Sequence, residues 1–171
     1  MGAGKTTLGK ALARELKIPF VDLDWHIEER YHKSISELFQ EYGENDFRLI
    51  EKNMLYEVAE FENVIISTGG GTPCFFDNME FMNGKGATVY LDVKTDVLFR
   101  RLRVATTSRP ILHGKSDEEL NVFIQQALDK RMEHYRKANY IFNTDKLENR
   151  RQISTAVEQL LNLLDLPVHP Q

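Results

Sequence analysis

The stretch Met1-Gly2-Ala3-Gly4-Lys5-Thr6-Thr7 carries side chains suited to holding phosphate. It matches the second half of a phosphate-binding loop, G-x-x-x-x-G-K-[ST], running into a helix. Gly2 and Gly4 have no Cβ, so the backbone there can take positive φ and approach a ligand closely. The N–H groups then line a concavity suited to phosphate oxygens, and the positive end of the helix dipole faces the same spot. In that motif Lys5 bridges the β- and γ-phosphates and the Thr6 hydroxyl holds Mg²⁺. The competing reading is a Gly-rich tail with a chance Lys-Thr. The motif's first glycine and the strand that feeds the loop would fall before Met1.

Further along, Phe20-Val21-Asp22-Leu23-Asp24 reads as a short strand ending in two acids, at the edge where ligands sit in open α/β sheets. Side-chain alternation would point Asp22 and Asp24 the same way. One carboxylate suits Mg²⁺ and the other a substrate hydroxyl; Asp24 also suits a helix N-cap ahead of Trp25. Arg48 and Glu51 stand at i, i+3 and can form an ion pair, although Arg48 taken alone reads as a solvated surface residue. Gly69-Gly70-Gly71 follow an apolar strand, Val64 to Thr68. Three successive glycines are costly in unfolded-state entropy, which favours close approach of a ligand over a plain turn. Residues 105–116, with Arg109-Pro110, His113 and Gly114-Lys115, lack an apolar period and read as a basic, mobile lid. Arg131 falls near the end of a long helix, where its bland role is to compensate the dipole. Cys74 reads as a bystander. The five His residues show no metal-ligand spacing.

The elements that must position these groups follow from periodicity. Leu8, Leu12 and Leu16 mark a first helix that Pro19 ends, and Ser34 with Glu37 has capping-box spacing. A short helix should run to Tyr42 and stop at Gly43, and a longer one should carry Phe47, Ile50, Met54, Val58 and Phe61. Asp77 to Asn83 reads as a short helix closed by Gly84. Thr88 to Asp92 and Asn139 to Asn143 read as strands. Thr95 or Asp96 should cap a helix through Leu98 and Leu102. Asp117 to Lys137 should be the longest helix, and Glu148 to Leu164 the last. Met79 and Met82 belong to the core, as do the Phe residues at helical spacing. Strands alternating with helices give an α/β fold with a parallel sheet covered on both faces. The 171 residues suit one domain, 1–171. A net charge of −4 gives no basic excess for nucleic acid. No apolar run spans a membrane, and the single Cys fits a reducing cytoplasm.

Taken as an ordered set, Gly2-Ala3-Gly4-Lys5-Thr6-Thr7, Asp22-Leu23-Asp24, Phe47-Arg48-Leu49-Ile50-Glu51, Gly69-Gly70-Gly71, Arg109-Pro110-Ile111-Leu112 and Arg131 ahead of Tyr135 resemble the shikimate kinase family. The resemblance runs from Met1 to about Arg151. It implies a three-layer P-loop fold like that of nucleoside-monophosphate kinases, with a five-stranded parallel sheet. It also implies ATP γ-phosphate transfer to the 3-hydroxyl of shikimate, on the route to chorismate and the aromatic amino acids. By motif position, Asp24 binds shikimate hydroxyls and is the candidate base, while Arg48 and Arg131 clamp the carboxylate. Gly69, Gly70 and Gly71 line the substrate pocket. Gly2 to Thr7 and Arg109 serve ATP, with Lys5 and Arg109 acting on the transferred phosphate. Arg101 is placed against adenine. Thr6, and Asp22 through water, hold Mg²⁺, with Ser67 in support. Such a chain is expected to be a cytoplasmic monomer. In that fold the strand ahead of the loop is central, so this chain is expected to be an impaired fragment with its first strand absent and a slot in its core. The alternatives are a kinase of another small hydroxy acid or polyol such as gluconate, or a non-catalytic chain.

Overall fold

A computed structural model describes residues 2–104 and 116–166. The elements run α1 (Lys5–Leu16), β1 (Phe20–Asp22), α2 (Leu23–Tyr31), α3 (Ile35–Val58), β2 (Ile65–Ser67), a 3₁₀ turn (Thr72–Cys74), α4 (Asn78–Lys85), β3 (Val89–Asp92), α5 (Thr95–Val104), α6 (Asp117–Tyr135), β4 (Tyr140–Asn143) and α7 (Arg150–Leu163). The expected lid and its Arg109 lie outside the described residues, except for Ser116.

All strand pairing is parallel, as helix-linked strands require. Phe20 pairs with Ile65 and Asp22 with Ser67, while Val89 pairs with Tyr140 and Asp92 with Asn143. Helices cover both faces. On β2, Ile65 packs against the core of α1 and α7 (Leu8, Leu12, Leu160, Leu161), and its neighbour Ile66 packs against that of α2 and α3 (Leu23, Ile27, Leu38, Phe47, Leu55, Val58). A third core joins Val97, Leu98 and Leu102 of α5 to Leu120 and Ile124 of α6.

The sheet differs from the five strands that the resemblance implies. Among the described residues it is two separate pairs, β1–β2 and β3–β4. Between them lies an apolar cavity of about 880 Å³, lined by Leu8, Leu12, Ile65, Ile66, Val89 and Leu91 among others.

Local chemistry accounts for the element ends. Ser34 and Glu37 form the expected capping box, Ser34 N–H donating to Glu37 Oε2 at 2.7 Å. Ser116 and Glu119 repeat it at the start of α6. Gly43, at φ 73° and ψ 176°, leaves the helical conformation, so α3 is two helical stretches meeting at a kink, the first ending at Tyr42 as expected. α6, at 19 residues, is thus the longest unbroken helix among the described residues, as expected. Gly84 sits inside α4, which closes at Gly86. The Leu98 N–H bonds Lys94 O, so α5 starts from Lys94 rather than from Thr95 or Asp96. Phe61 falls beyond α3 and is 47% exposed, so it is not a core residue.

One difference changes the site. β1 ends at Asp22, which occupies the N-cap position of α2, and Asp24 lies in that helix's first turn. The two acids therefore diverge by helical geometry rather than sharing one face of a strand, and the Asp22 carboxylate makes no cap hydrogen bond.

Candidate active site

Gly4 is the N-cap of α1, at φ 88° and ψ 18°. L-residues with a side chain rarely hold that conformation, which explains a glycine there. Two distant side chains fix the loop by its carbonyls. Thr144 Oγ1 donates to Ala3 O at 2.9 Å, and Arg101 Nη1 donates to Gly2 O at 3.4 Å. Arg101 also donates to Thr144 O at 2.9 Å and Asp145 O at 3.2 Å, so its guanidinium joins the loop to the segment after β4. Thr144 is 1% exposed. Sequence reasoning passed over it; the signal available was a hydroxyl immediately after a strand at the ligand edge of the sheet.

In the first turn of α1, Thr6 Oγ1 donates to Asp22 Oδ2 at 3.1 Å. This hydroxyl–carboxylate pair offers hard oxygen donors beside the phosphate loop, the type Mg²⁺ takes. Ser67 is buried and stands opposite Asp22 in the strand register. Among the described residues no three His, Cys, Asp or Glu side chains cluster as a metal site. A cation here would therefore draw most of its ligands from phosphate and water, as Mg²⁺ does in nucleotide sites.

Asp24 lies on the other side of Asp22. Its carboxyl is pushed up from 3.8 to about 6, chiefly by burial, then by the Asp22 and Glu51 carboxylates, against the opposing pull of the Lys5 ammonium. Lys5, Asp22, Asp24 and Glu51 thus share one electrostatic neighbourhood. Gly69 closes over it: a Cβ at that position would stand 2.9 Å from Asp24 Oδ1 and 3.2 Å from Glu51 Oε1.

Arg48 and Glu51 are buried, at 9% and 1% exposed, which overturns the reading of Arg48 as a surface residue. Arg48 Nη1 donates to Glu51 Oε2 at 2.7 Å, and Thr72 Oγ1 donates to Glu51 Oε1 at 2.6 Å. Thr72 is itself fixed, its carbonyl accepting from Asn78 Nδ2 at 2.9 Å. The Arg48 guanidinium packs 4.2 Å from the Phe75 ring centroid. Its Nε is buried and has no hydrogen-bond partner among the described residues. A buried donor left unmet costs stability, and an anionic ligand would meet it.

The three-glycine turn joins this cluster to α6. The Tyr135 hydroxyl donates to Gly70 O at 2.6 Å. Arg131 lies one helical turn before Tyr135, with its guanidinium beside that hydroxyl. Cys74 feels the positive charge of both Arg131 and Arg48, so the two arginines flank the same 3₁₀ turn. Burial nonetheless pushes the Cys74 thiol up, which keeps it protonated and fits its reading as a bystander.

Gly71 lies under Arg48, where a Cβ would stand 2.8 Å from both Nη atoms. The guanidinium is held by Glu51 and Phe75 and cannot swing away freely. Gly71→Ala should therefore weaken binding of a carboxylate ligand by about tenfold, with nucleotide affinity kept, since a displaced ion pair costs on the order of 1–2 kcal/mol. Calorimetric titration of both ligands checks this; equal loss of both would mean general disruption.

The structure thus brings together Lys5, Thr6, Asp22, Asp24, Arg48, Gly69, Gly70, Gly71 and Arg131 along one edge. Arg101 stands at the phosphate loop's outer side.

The family profile described as shikimate kinase matches residues 1–162. A shikimate kinase of Bacteroides fragilis is 68% identical over 98% of this chain and 94% of its own. The crystal structure of shikimate kinase from Bacteroides thetaiotaomicron, at 66% identity, superposes with a TM-score of 0.95 over 97% of this chain and 94% of that one. Shikimate kinase from Acinetobacter baumannii in complex with shikimate is 30% identical, with a TM-score of 0.81 over 96% of this chain and 89% of that one.

Proposed function

The chain belongs to the shikimate kinase family, and from that premise we propose how its own residues carry the reaction. It is an ATP-dependent kinase that transfers the γ-phosphate to the 3-hydroxyl of shikimate. The observation that carries the reading is the edge just described, where a phosphate loop, a raised carboxyl and a buried arginine with an unmet donor meet.

Phosphoryl transfer asks the protein mainly for positioning and charge stabilisation. Gly2 to Thr7 cradle the phosphates of ATP, and Lys5 balances their charge. Arg109, outside the described residues, is assigned to the same phosphates by its motif position. Arg101 braces the loop from outside and borders the adenine side. Thr6, with Asp22 and Ser67 through water, would hold Mg²⁺, which when bound neutralises charge on the phosphate oxygens. Arg48 and Arg131 clamp the shikimate carboxylate, since a guanidinium fork suits a planar anion. The glycine turn lines the ring. Asp24 accepts from the 3-hydroxyl and takes its proton as the oxygen attacks phosphorus.

The chain works as a cytoplasmic monomer on this reading. No helix among the described residues is long and apolar enough to cross a membrane.

The test is ADP formation from Mg-ATP with shikimate, gluconate or quinate as acceptor, followed from pH 5 to pH 8. Shikimate alone should support turnover. kcat/KM should fall about tenfold per pH unit below about 6, as Asp24 takes up its proton. Turnover with gluconate, or a flat profile down to pH 5, would overturn the substrate or the base assignment respectively.

A further inference from the structure

The Tyr135 hydroxyl has a single proton, and it is committed to Gly70 O at 2.6 Å. Its lone pairs are therefore what it offers to the Arg131 guanidinium beside it. A hydroxyl that donates strongly becomes a better acceptor, so the two contacts reinforce one another. The ring cannot drift from this place. It stacks on Tyr90 with centroids 5.0 Å apart and planes at 29°. Tyr90 belongs to β3, and its own hydroxyl donates to Asp92 Oδ1 at 3.3 Å. The sheet thus sets the height of the Tyr135 oxygen, and that oxygen touches both the glycine turn and α6.

We propose that Tyr135 is a positioning residue for the acceptor's carboxylate, its hydroxyl holding the Arg131 guanidinium and the Gly70 peptide in register with each other. This rests on the functional reading above. Arg131 sits on a long side chain whose rotamer freedom would otherwise be lost only on binding. A fixed hydroxyl beside it orders it beforehand. Gly70, flanked by two more glycines, is free to turn its peptide unless something holds the carbonyl, and Tyr135 does so.

Tyr135→Phe keeps the stack on Tyr90 and removes only the oxygen. Shikimate affinity by calorimetry should fall about tenfold or more, while Mg-ATP affinity stays within about twofold. Shikimate methyl ester, which lacks the charge that Arg131 reads, should bind parent and variant alike. In an Arg131→Ala background the second substitution should cost no further shikimate affinity; that comparison remains informative if the variant is less stable, because both chains carry the same change. Unchanged shikimate affinity in Tyr135→Phe overturns the proposal. So does equal weakening of acid and ester, which marks a purely structural role, or full additivity with Arg131→Ala. A parent chain that binds no shikimate at all overturns the functional reading itself, and this inference with it.

Discussion

Asp24→Asn should lose turnover by about a thousandfold, the scale of general-base catalysis, while Mg-ATP still binds. The same variant should be more stable than the parent at neutral pH. Asp24 holds its proton up to about 6 in the folded chain but only to about 3.8 when unfolded. Between those values the native state binds a proton that the unfolded state has released. Stability is therefore lost as pH rises through that window, and the full cost is present above about 6. Two pH units correspond to about 3 kcal/mol at most, and partial exposure reduces this to about 1–2 kcal/mol. An uncharged amide of the same shape escapes the cost. The melting temperature of Asp24→Asn should rise by several degrees at pH 8, at about 2–4 °C per kcal/mol for a chain of this size, and not at pH 4. A variant that turns over normally, or melts lower at pH 8, would refute the raised carboxyl as the seat of catalysis.

Arg48→Ala should abolish measurable shikimate binding and unfold much of the protein. Removing the guanidinium leaves Glu51, 1% exposed, with the Thr72 hydroxyl as its remaining hydrogen-bond partner among the described residues. Breaking a buried pair from one side costs about 3–5 kcal/mol, a large part of the ~5–15 kcal/mol that holds a domain together. The double variant Arg48→Ala with Glu51→Gln removes the stranded charge and should recover most of the stability in urea unfolding. It should recover none of the shikimate binding. A stable single variant would mean the pair matters little to folding. Shikimate binding by the double variant would remove Arg48 from the clamp.

The helix faces, the four strands and the order of the site motifs were legible because each rests on local pattern. Leu8 and Leu12 face the core at the spacing that places them, and Ser34 caps as its partner Glu37 dictates. What could not be read depends on partners distant in sequence. Arg48 looked solvated because nothing adjacent to it announces that Phe75 and the glycine turn will cover it. The environment that lifts the Asp24 proton affinity is built by Asp22, Glu51 and Lys5 from three different elements. The end of β1 was misplaced by two residues, since a helix starting directly at Leu23 leaves no turn residue to mark the boundary. Gly43 breaks the helical backbone as its type suggests, whereas the helix around Gly84 runs on to Lys85 before it closes, a glycine weakening a helix without having to end it.

The bracing of the phosphate loop has a consequence for the order of biosynthesis. Gly2 is tied to a residue 99 positions later and Ala3 to one 141 positions later. At a ribosome adding roughly 5–20 residues each second, the loop waits many seconds for the last of these partners to be made. The bracing of the nucleotide pocket is accordingly complete only after Thr144 has been made. Until then a nascent chain lacks the braced loop with which to recruit ATP and steady itself, so the pocket closes only when α5 and the residue after β4 reach the loop.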